Sequence, residues 1–240
     1  MRDRADRRAV LGDLAVVVPI GPGDRTWRDL LPELVALPPA ARLVLVATAA
    51  ADLPAADDPL RARLAAELVP LVAARGRASQ QNAGAAAAAR RFLWFLHADS
   101  RLDPATVPAL AAGLLAAPDA LGYFDLRFRN DGPLAVRLNA AGVFIRSRWL
   151  GLPFGDQGFF LARATFDRLG GFDPTLSFGE DHALVWAARR NGITLRAAGA
   201  PIYTSARKYA EQGWVRTTSR HVWLTAVQAW RESRRRSSPA

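Results

Sequence analysis

The chain has no cysteine and only one lysine among its 240 residues. Without cysteine it forms neither disulfides nor thiolate zinc sites, and it fits a reducing compartment, so we expect a cytoplasmic protein. Long apolar runs are also missing: residues 43–51 form one of the longest, whereas about 20 are needed to cross a bilayer. No signal-peptide hydrophobic region follows the charged residues 1–8. We interpret residues 1–11 as a flexible tail.

Acidic residues are outnumbered, and the formal net charge is +10. All but one of the 32 basic residues are arginine, and the chain is also rich in alanine, a pairing typical of GC-rich coding. Arginine binds phosphate groups through paired hydrogen bonds, so a phosphorylated small substrate explains the charge as well as a nucleic acid does. The arginines are scattered and no nucleic-acid-binding motif is present, so we expect no nucleic-acid partner.

The first half of the chain alternates strands with helices. Residues 14–20 and 43–46 are short apolar runs typical of buried strands. Residues 26–37 are predicted as a helix, and a second helix is predicted from Asp58 past Leu68, with leucines on one face. This β-α-β-α order predicts a mostly parallel, Rossmann-like sheet flanked by helices.

A central strand is predicted at residues 92–96, where five apolar residues include three aromatic ones. The run breaks into polar residues at His97 and Asp99. Ligands bind at the carboxyl ends of strands in open α/β sheets, because the loops diverge there. Asp103 precedes Pro104 and is explained as a helix cap. Asp99 has no such local role and is a candidate metal ligand, with His97 beside it.

The second half predicts an antiparallel addition to the sheet. Residues 121–129 alternate between apolar and polar side chains, as in a strand with one solvated face. The remaining predicted elements are a helix at 133–149, a strand at 159–162, a helix at 183–190, short strands at 193–196 and 202–204, and a helix at 214–230. The length suits one domain. We place it at residues 12–232, followed by a flexible basic tail at 233–240.

Arg, Ser, Gln and Asn side chains are concentrated in residues 75–84, ahead of an alanine-rich helix at 85–90. Exposed backbone N–H groups at a helix start, together with a guanidinium, make an anion-binding loop. An ordinary solvated loop capped by Ser79 accounts for the same residues equally well.

Six short segments follow one another in a distinctive order. They are Gly-Arg-Ala-Ser-Gln-Gln-Asn-Ala-Gly at 76–84, Phe-Leu-His-Ala-Asp-Ser at 95–100, Gly-Asp-Gln at 155–157, Gly-Gly-Phe at 170–172, Gly-Glu-Asp at 179–181 and Thr-Ser-Ala-Arg-Lys at 204–208. This order resembles the family 2 glycosyltransferases, inverting enzymes of the GT-A fold, over residues 14–223. It resembles most a small bacterial subgroup of stand-alone members.

The resemblance implies sugar transfer from a nucleotide-sugar donor to an acceptor hydroxyl. It implies that Asp99 is the metal-binding member of an Asp-X-Asp element, with His97 in place of the first Asp, and that the cofactor is Mn²⁺ or Mg²⁺. Asp181 is implied as the general base, supported by Glu180. Glu180 and Asp181 at a helix start also complement the helix dipole, which is the structural alternative.

Further roles follow from the same resemblance. The implied donor-binding residues are Pro19, Arg77, Gln80, Asn82 and His97, with Arg207 and Lys208 reaching the diphosphate leaving group. Asp156 and Gln157 are implied to line the acceptor pocket. Four of these residues have a structural alternative: His97 as a hydrogen-bonded histidine beneath the loop, Asp156 as a turn residue, and Arg207 and Lys208 as a solvated pair.

Two stretches depart from the family pattern. Family members commonly carry an Asp followed by a Gly-Ser/Thr-Asp turn after the second strand, where the carboxylate helps to hold the nucleotide base. Here the corresponding residues 47–52 read Ala-Thr-Ala-Ala-Ala-Asp, and residues 19–24 replace the usual first loop. Asp24, Glu33 or Asp52 could substitute. The donor is therefore left open, as is the alternative of a catalytically weakened nucleotide-sugar-binding or partner-binding protein.

The helix predicted at residues 214–230 carries Val222, Trp223, Ala226, Val227 and Trp230 on one face. We expect this face to pack on the domain as a final core helix, as amphipathic helices commonly do. The alternative is a helix in a membrane interface. Residues 234–236, all arginine, are expected to be free for weak peripheral contact with anionic lipid, in keeping with a lipid-linked acceptor at the inner membrane face.

Overall fold

The computed structural model of the chain describes residues 2–234. Its strands are β1 (Leu14–Pro19), β2 (Arg42–Ala47), β3 (Glu67–Val72), β4 (Phe92–Phe95), β5 (Arg101–Leu102), β6 (Leu121–Phe128), β7 (Phe160–Ala162) and β8 (Leu195–Thr204). Its helices are α1 (Arg2–Gly12), α2 (Trp27–Leu30), α3 (Pro59–Arg63), α4 (Arg77–Ala88), α5 (Thr106–Ala116), α6 (Val136–Arg148), α7 (Arg163–Arg168), α8 (Glu180–Arg190), α9 (Arg207–Gln212) and α10 (Trp214–Arg234). Short 3₁₀ turns cover Leu31–Leu34, Ala50–Asp52 and Gly155–Gln157.

The strands form one mixed sheet in the order β3-β2-β1-β4-β7-β6-β8-β5. Strand β1 lies between β2 and β4 and is parallel to both. Its alternate side chains enter two separate cores: Val16 and Val18 pack with residues of α1, α2 and α5, and Ala15 and Val17 with residues of α4, α7 and α8. The predicted α/β fold with a parallel first half and helices on both faces is confirmed.

The predicted antiparallel addition in the second half of the sheet is confirmed, since strand β7 runs antiparallel to both β4 and β6. Strand β6 is parallel to its other neighbour, β8. The expected solvated face of β6 is also covered at first, because Tyr123 is buried and its hydroxyl donates to the Ser147 carbonyl at 2.9 Å. The alternation of apolar and polar residues therefore matches buried and solvent-exposed side chains only from Asp125 onward.

Two predicted boundaries are wrong for local reasons. The helix predicted past Leu68 ends at Arg63, and residues 67–72 form the edge strand β3. Pro70 has no N–H to donate, but this loses no hydrogen bond between strands on the open side of an edge strand. The two short strands predicted at 193–196 and 202–204 are one strand, β8. Its pairing with β6 shifts register around Gly199, whose φ is 76°.

The chain ends also differ from the expectation of flexible tails. Residues 2–12 form helix α1, which packs on α5 and buries Val10 in the first core. An Asp3–Arg7 ion pair one helical turn apart supports it. At the other end α10 continues through Arg234, and residues 235–240 of the predicted basic tail lie outside the described residues.

The expected packing of α10 is corrected. The helix forms as predicted, but Val222, Trp223 and Trp230 are exposed. The side turned to the domain includes polar pairs: the Arg190 Nη1 pairs with Glu232 at 3.0 Å, and the His221 Nδ1 lies 3.2 Å from the Tyr209 hydroxyl. Trp214, at the start of the helix, packs on Val136, Ala206 and Tyr209. No helix within residues 2–234 is long and apolar enough to cross a membrane.

Candidate functional site

A crevice opens at the carboxyl ends of β1 and β4, against the start of α4. It contains a cavity of about 450 Å³, and five of the residues predicted for donor or metal binding line it: Pro19, Arg77, Gln80, His97 and Asp99. A second cavity, of about 500 Å³, adjoins it through residues 75–77 and extends to residues 174–178 and Glu180. The two motifs that contribute Asp99 and Glu180 are thereby brought to one side of the sheet.

The start of α4 corrects the prediction of a long loop. The helix begins at Arg77, eight residues before the predicted start at 85, directly after Gly76 with a φ of 123°. The buried side chains Ala78, Gln81, Ala85 and Ala88 recur at helical spacing, which explains why these residues continue the helix. Arg77 therefore stands at a helix N-terminus facing the crevice, where backbone N–H groups and its guanidinium favour an anion.

Asp181 is held in place by backbone. Its Oδ2 accepts from the Gly155 N–H at 2.7 Å and its Oδ1 from the His182 N–H at 2.8 Å. Burial opposes the charge of Asp181, but Arg77 and these two hydrogen bonds outweigh it, and its pKa lies below the ordinary value. The carboxylate is therefore ionised at neutral pH and fixed in orientation at the start of α8.

Glu180 lies beside Asp181 and is buried, with 4% of its side chain exposed. Its Oε1 accepts a charge-assisted hydrogen bond from the Nε of Arg77. This ion pair links the start of α4 to the start of α8. It gives Glu180 a structural partner and orients Arg77 at the junction of the two cavities.

His97 and Asp99 follow β4 as predicted. Burial, followed by the charge of Arg77, holds the pKa of His97 below its ordinary value, while the charges of Asp99, Asp156 and Asp181 act in the opposite direction. The carboxylates of both halves of the chain therefore lie within electrostatic reach of one imidazole. Asp99 lines the first cavity, whereas Asp181 lines neither cavity and follows Glu180, which lines the second.

Asp156 lies on the Gly155–Gln157 turn next to Asp181. Burial raises the pKa of Asp156, although the charges of Arg146 and His97 act against it. Its Oδ1 is buried and has no hydrogen-bond partner among the described residues. A buried acceptor without a partner is costly, so this oxygen is suited to receive a hydrogen bond from a ligand.

Arg146 of α6 was missed by the sequence analysis. Its guanidinium lies over the Phe154 ring, with Cζ 3.3 Å from the ring centroid, and it is close enough to Asp156 and Asp181 for their charges to act on it. Burial lowers the pKa of Arg146. It supplies the positive charge that lets two carboxylates lie side by side. Its segment, Ile-Arg-Ser-Arg, carries no signal by which spacing could distinguish it from other helical arginines.

Three predicted ligand contacts are occupied by backbone. Gln80 donates from Nε2 to the carbonyls of Ile20 and Val46, both at 2.8 Å, and so fastens the ends of β1 and β2. Asn82 donates to the Phe172 carbonyl at 2.7 Å and accepts from its N–H at 3.0 Å. Gln157 is fully buried and donates to the Phe124 carbonyl at 2.8 Å. These amides shape the crevice walls.

Arg207 and Lys208 lie at the start of α9 with exposed side chains and line neither cavity. Arg207 donates from Nε to the Ser205 hydroxyl at 3.1 Å. The structure therefore does not bring these two residues together with Arg77 and Asp99.

The carboxylates that could replace the missing base-pocket motif are also partly occupied. Asp24 accepts from the Thr26 N–H at 2.8 Å, and Asp52 accepts from the Gly23 N–H at 3.1 Å. Glu33 accepts from the Leu102 N–H at 2.5 Å. Of the three, only Asp24 lines the cavity beside Arg77.

No protein-family model matches the chain. No curated protein matches it either. Among solved structures it is similar to the mannosyltransferase PcManGT from Pyrobaculum calidifontis in complex with GDP-Man and Mn²⁺, with a TM-score of 0.64 and 19% identity, covering 94% of this chain and 65% of that one. It is also similar to S. aureus TarS, with a TM-score of 0.59 and 17% identity, covering 80% of this chain and 36% of that one. The fold is that of a GT-A glycosyltransferase.

A shorter form of TarS in complex with UDP-GlcNAc has a TM-score of 0.56 to this chain, at 16% identity. The chain spans between 36% and 65% of the length of the proteins it matches. At such low identity the likeness establishes the GT-A fold, and the chemistry has to be argued from the residues of the crevice.

Proposed function

We propose that the chain is an inverting glycosyltransferase of the family 2 type. It transfers a sugar from a nucleoside-diphosphate-sugar to an acceptor hydroxyl, with Asp181 as the general base and a divalent cation at Asp99. The observation that carries the proposal is a crevice of a GT-A fold lined by Arg77, His97 and Asp99. The charges of Asp156 and Asp181 act on both His97 and Arg77 from beside this crevice. The six motifs that resemble family 2, and the small bacterial subgroup within it, support the assignment.

The donor diphosphate is assigned to the cavity at the start of α4. The helix N-terminus and Arg77 supply positive charge there, and Pro19 and His97 form part of its wall. Solved structures of the same fold contain GDP-Man or UDP-GlcNAc, which supports a nucleotide-sugar as the ligand. The negative charge that builds on the leaving diphosphate is stabilised by groups fixed before the reaction, which is where such groups have most effect.

Asp181 takes the proton of the acceptor hydroxyl. A hydroxyl is a poor nucleophile until its proton is removed, and an ionised, fixed carboxylate on the far side of the sugar carbon can remove it. One such base is sufficient, because direct displacement with inversion requires no covalent intermediate. Asp156, whose buried Oδ1 has no partner among the described residues, is assigned to hold the acceptor.

Asp99 is the residue assigned to a metal ion. No group of three His, Asp or Glu side chains within residues 2–234 could hold one by itself. The donor set nevertheless fits a diphosphate-bound Mn²⁺ or Mg²⁺, because these ions bind nucleotides through one or two carboxylates and take other ligands from phosphate and water. When bound, the ion would supply Lewis-acid stabilisation of the diphosphate.

Glu180, Asn82 and Gln157 are assigned supporting roles, because their polar groups already bind Arg77 or backbone. Gln80 lines the donor cavity while its amide N–H groups hold β1 and β2. Arg207 and Lys208 are retained as leaving-group contacts on the strength of their motif; that role requires α9 to move. A cytoplasmic location remains part of the proposal.

The second candidate is a weakened nucleotide-sugar-binding protein. It is favoured by the base pocket, where the carboxylates of Asp24 and Asp52 accept hydrogen bonds from the first loop of the chain itself. It predicts donor binding without transfer. The ordered and ionised Asp181 favours the enzyme, because a binding protein has no use for a base at that position.

The decisive experiment is a thermal-shift panel of UDP-, GDP-, ADP- and dTDP-sugars, each with Mn²⁺, Mg²⁺ or a chelator. A donor present at 100 times its Kd stabilises a protein by about 2.7 kcal/mol, so at least one nucleotide-sugar is expected to raise the Tm. The positive donor is then incubated with candidate acceptors, and release of nucleoside diphosphate is measured. If none of these nucleotide-sugars changes the Tm, both candidate functions are wrong.

A further inference from the structure

Helix α6 turns apolar side chains to solvent. Leu138 is 67% exposed and Trp149, just past the helix, is 76% exposed. Further exposed apolar residues on and around α6 are Leu134, Phe144, Ile145 and Leu150. Leu138, Ile145 and Trp149 recur at helical spacing, so they form one stripe along the helix.

Helix α10 carries a second exposed stripe. Trp223 is 63% exposed and Trp230 is 56% exposed, and Val215 and Val222 are exposed with them. The guanidinium of Arg234 lies over the Trp230 ring, with Cζ 4.2 Å from the centroid. An exposed face with two tryptophans is the reverse of what a core helix turns to solvent.

The two helices are neighbours. The Trp214 Nε1 of α10 donates to the Asn139 Oδ1 of α6 at 2.7 Å, and the Asn139 Nδ2 donates to the Thr218 hydroxyl at 3.0 Å. Leu138 and Val215 are each one residue away from this contact. We call the exposed apolar side chains of α6 and α10, together with Trp149, the apolar face.

The exposed charges carried by α6 and α10 themselves have one sign. The sequence of α6 contains three arginines and no acidic residue. The sequence of α10 contains four arginines and one acidic residue, Glu232, which is buried and paired with Arg190. Arg137, Arg216 and Arg220 are exposed. Apolar side chains with tryptophan, bordered by arginine, match the interface of an anionic bilayer.

The apolar face belongs to two helices that also lie near Asp181. Arg146, on α6, lies near Asp156 and Asp181. Helix α10 packs on α8, and its Gln228 side chain lies against Gly179, the residue before Glu180. A surface that docks through α6 and α10 therefore lies beside the acceptor side of the site.

We propose that the apolar face docks the protein on an anionic lipid bilayer. Resting on the proposed function, this gives the acceptor class: a hydroxyl carried by a membrane lipid and presented at the bilayer surface. A second copy of the chain is a poorer occupant, because two copies would bring arginine-bordered faces of the same sign together.

The test is co-sedimentation with vesicles of phosphatidylcholine alone or with 30% phosphatidylglycerol, at low and high salt and without nucleotide-sugar. The apolar variant is Trp149→Ala/Trp223→Ala, and the charge variant is Arg216→Gln/Arg220→Gln. The control is Val72→Ala/Leu115→Ala, which removes exposed apolar residues from β3 and α5. All of these side chains are exposed, so each variant is expected to keep the wild-type Tm, which is measured first.

Wild type is expected to sediment with anionic vesicles and to be released by salt. The charge variant is expected to lose about 30-fold in partition coefficient, because each arginine contributes about 1 kcal/mol. The apolar variant is expected to lose at least about tenfold, because binding scales with the apolar area inserted. The control should match wild type.

Equal sedimentation with neutral and anionic vesicles, or a control that loses as much as the face variants, overturns the proposal. A concentration-dependent dimer that the apolar variant disperses also overturns it, by assigning the face to a second copy. Since no donor is present, these outcomes are independent of whether the chain transfers sugar.

Discussion

At the scale of single residues, Asp181 offers the sharpest test of the site. Asp181→Asn is expected to keep donor affinity and to lower the transfer rate by about 10²–10⁴-fold, which is the usual contribution of a general base. The amide is nearly isosteric, but it cannot accept from both Gly155 and His182 N–H groups. Donor affinity is measured by calorimetry and transfer by nucleoside diphosphate release.

Asp103→Asn is the matched control for that substitution. The Asp103 Oδ1 also accepts a backbone N–H, from Ala105 at 2.9 Å, but this partner lies before α5, whereas the partners of Asp181 belong to the Gly155–Gln157 turn and α8. Asp103→Asn should lose a similar amount of stability but should keep the wild-type transfer rate. If Asp181→Asn transfers sugar as fast as wild type, Asp181 only caps α8.

Asp99→Ala tests the metal assignment. In wild type, removing Mn²⁺ with a chelator is expected to weaken donor binding, because the ion neutralises diphosphate charge. In Asp99→Ala the chelator should have no further effect. Asp24→Ala is the control, since Asp24 lines the same cavity but is bound to Thr26 at 2.8 Å. Calorimetric titration of the donor, with and without chelator, measures the donor affinity of wild type and of each variant. A chelator that leaves wild-type affinity unchanged removes the metal from the proposal.

Part of the site was accessible from the sequence. Asp99 was identified because it follows an apolar strand without a helix to cap, and Asp181 because of the family resemblance. Gln80, Asn82 and Gln157 have the same residue types as ligand contacts, yet backbone carbonyls satisfy their amide groups. Only the folded chain shows which partner an amide has. Arg146 could not be found, since nothing local distinguishes it from the other arginines.

At the scale of secondary-structure elements, Gly84 determines how closely α4 lies on the sheet. A Cβ at this position would lie 2.4 Å from the Val17 Cγ1 and 2.9 Å from the Val46 Cγ2. Gly84→Ala is therefore expected to destabilise the protein by about 1–3 kcal/mol through overpacking, despite the better helix propensity of alanine. Urea denaturation measures the change.

Gly142 in α6 gives the matched control, because a Cβ there meets no atom within 4 Å. Gly142→Ala is expected to stabilise by about 0.5–1 kcal/mol, which is the usual cost of glycine within a helix. The opposite signs of the two substitutions separate packing from propensity. If Gly84→Ala also stabilises, α4 does not lie as close to β1 and β2 as described.

Elements were predictable where one periodicity dominated. Strands β1, β2 and β4 were found as buried apolar runs, and α5, α6 and α8 were found within a few residues. The segment after Asp58 was misjudged because leucines four residues apart continue into β3, and tertiary pairing with β2 overrides that local pattern. For α10 the helix was predicted correctly, but its apolar stripe does not pack; paired polar groups on the other face determine its orientation.

At the scale of the whole molecule, the parallel first half and the mixed second half meet at the crevice. The order of motifs predicted that both halves contribute carboxylates to it. The contact that joins them was not predictable from local pattern, because Arg77 and Glu180 are 103 residues apart. Pairing over such a distance depends on the strand order, in particular on β7 lying between β4 and β6.

A double-mutant cycle on Arg77 and Glu180 tests this connection between the halves. Arg77→Met leaves Glu180 buried without its cation, which is expected to cost about 2–3 kcal/mol. This is less than the about 3–5 kcal/mol that is usual for a fully buried pair, because 43% of the Arg77 side chain is exposed. Adding Glu180→Gln removes the unpaired charge and should recover more than half of that loss. Urea denaturation without ligand gives the four free energies of unfolding.

The exposed pair Arg7–Asp3, whose side chains are 40% and 74% exposed, is the control and should show a coupling below about 0.5 kcal/mol. An Arg77–Glu180 coupling no larger than that of the control would mean that the two halves are held by the sheet alone.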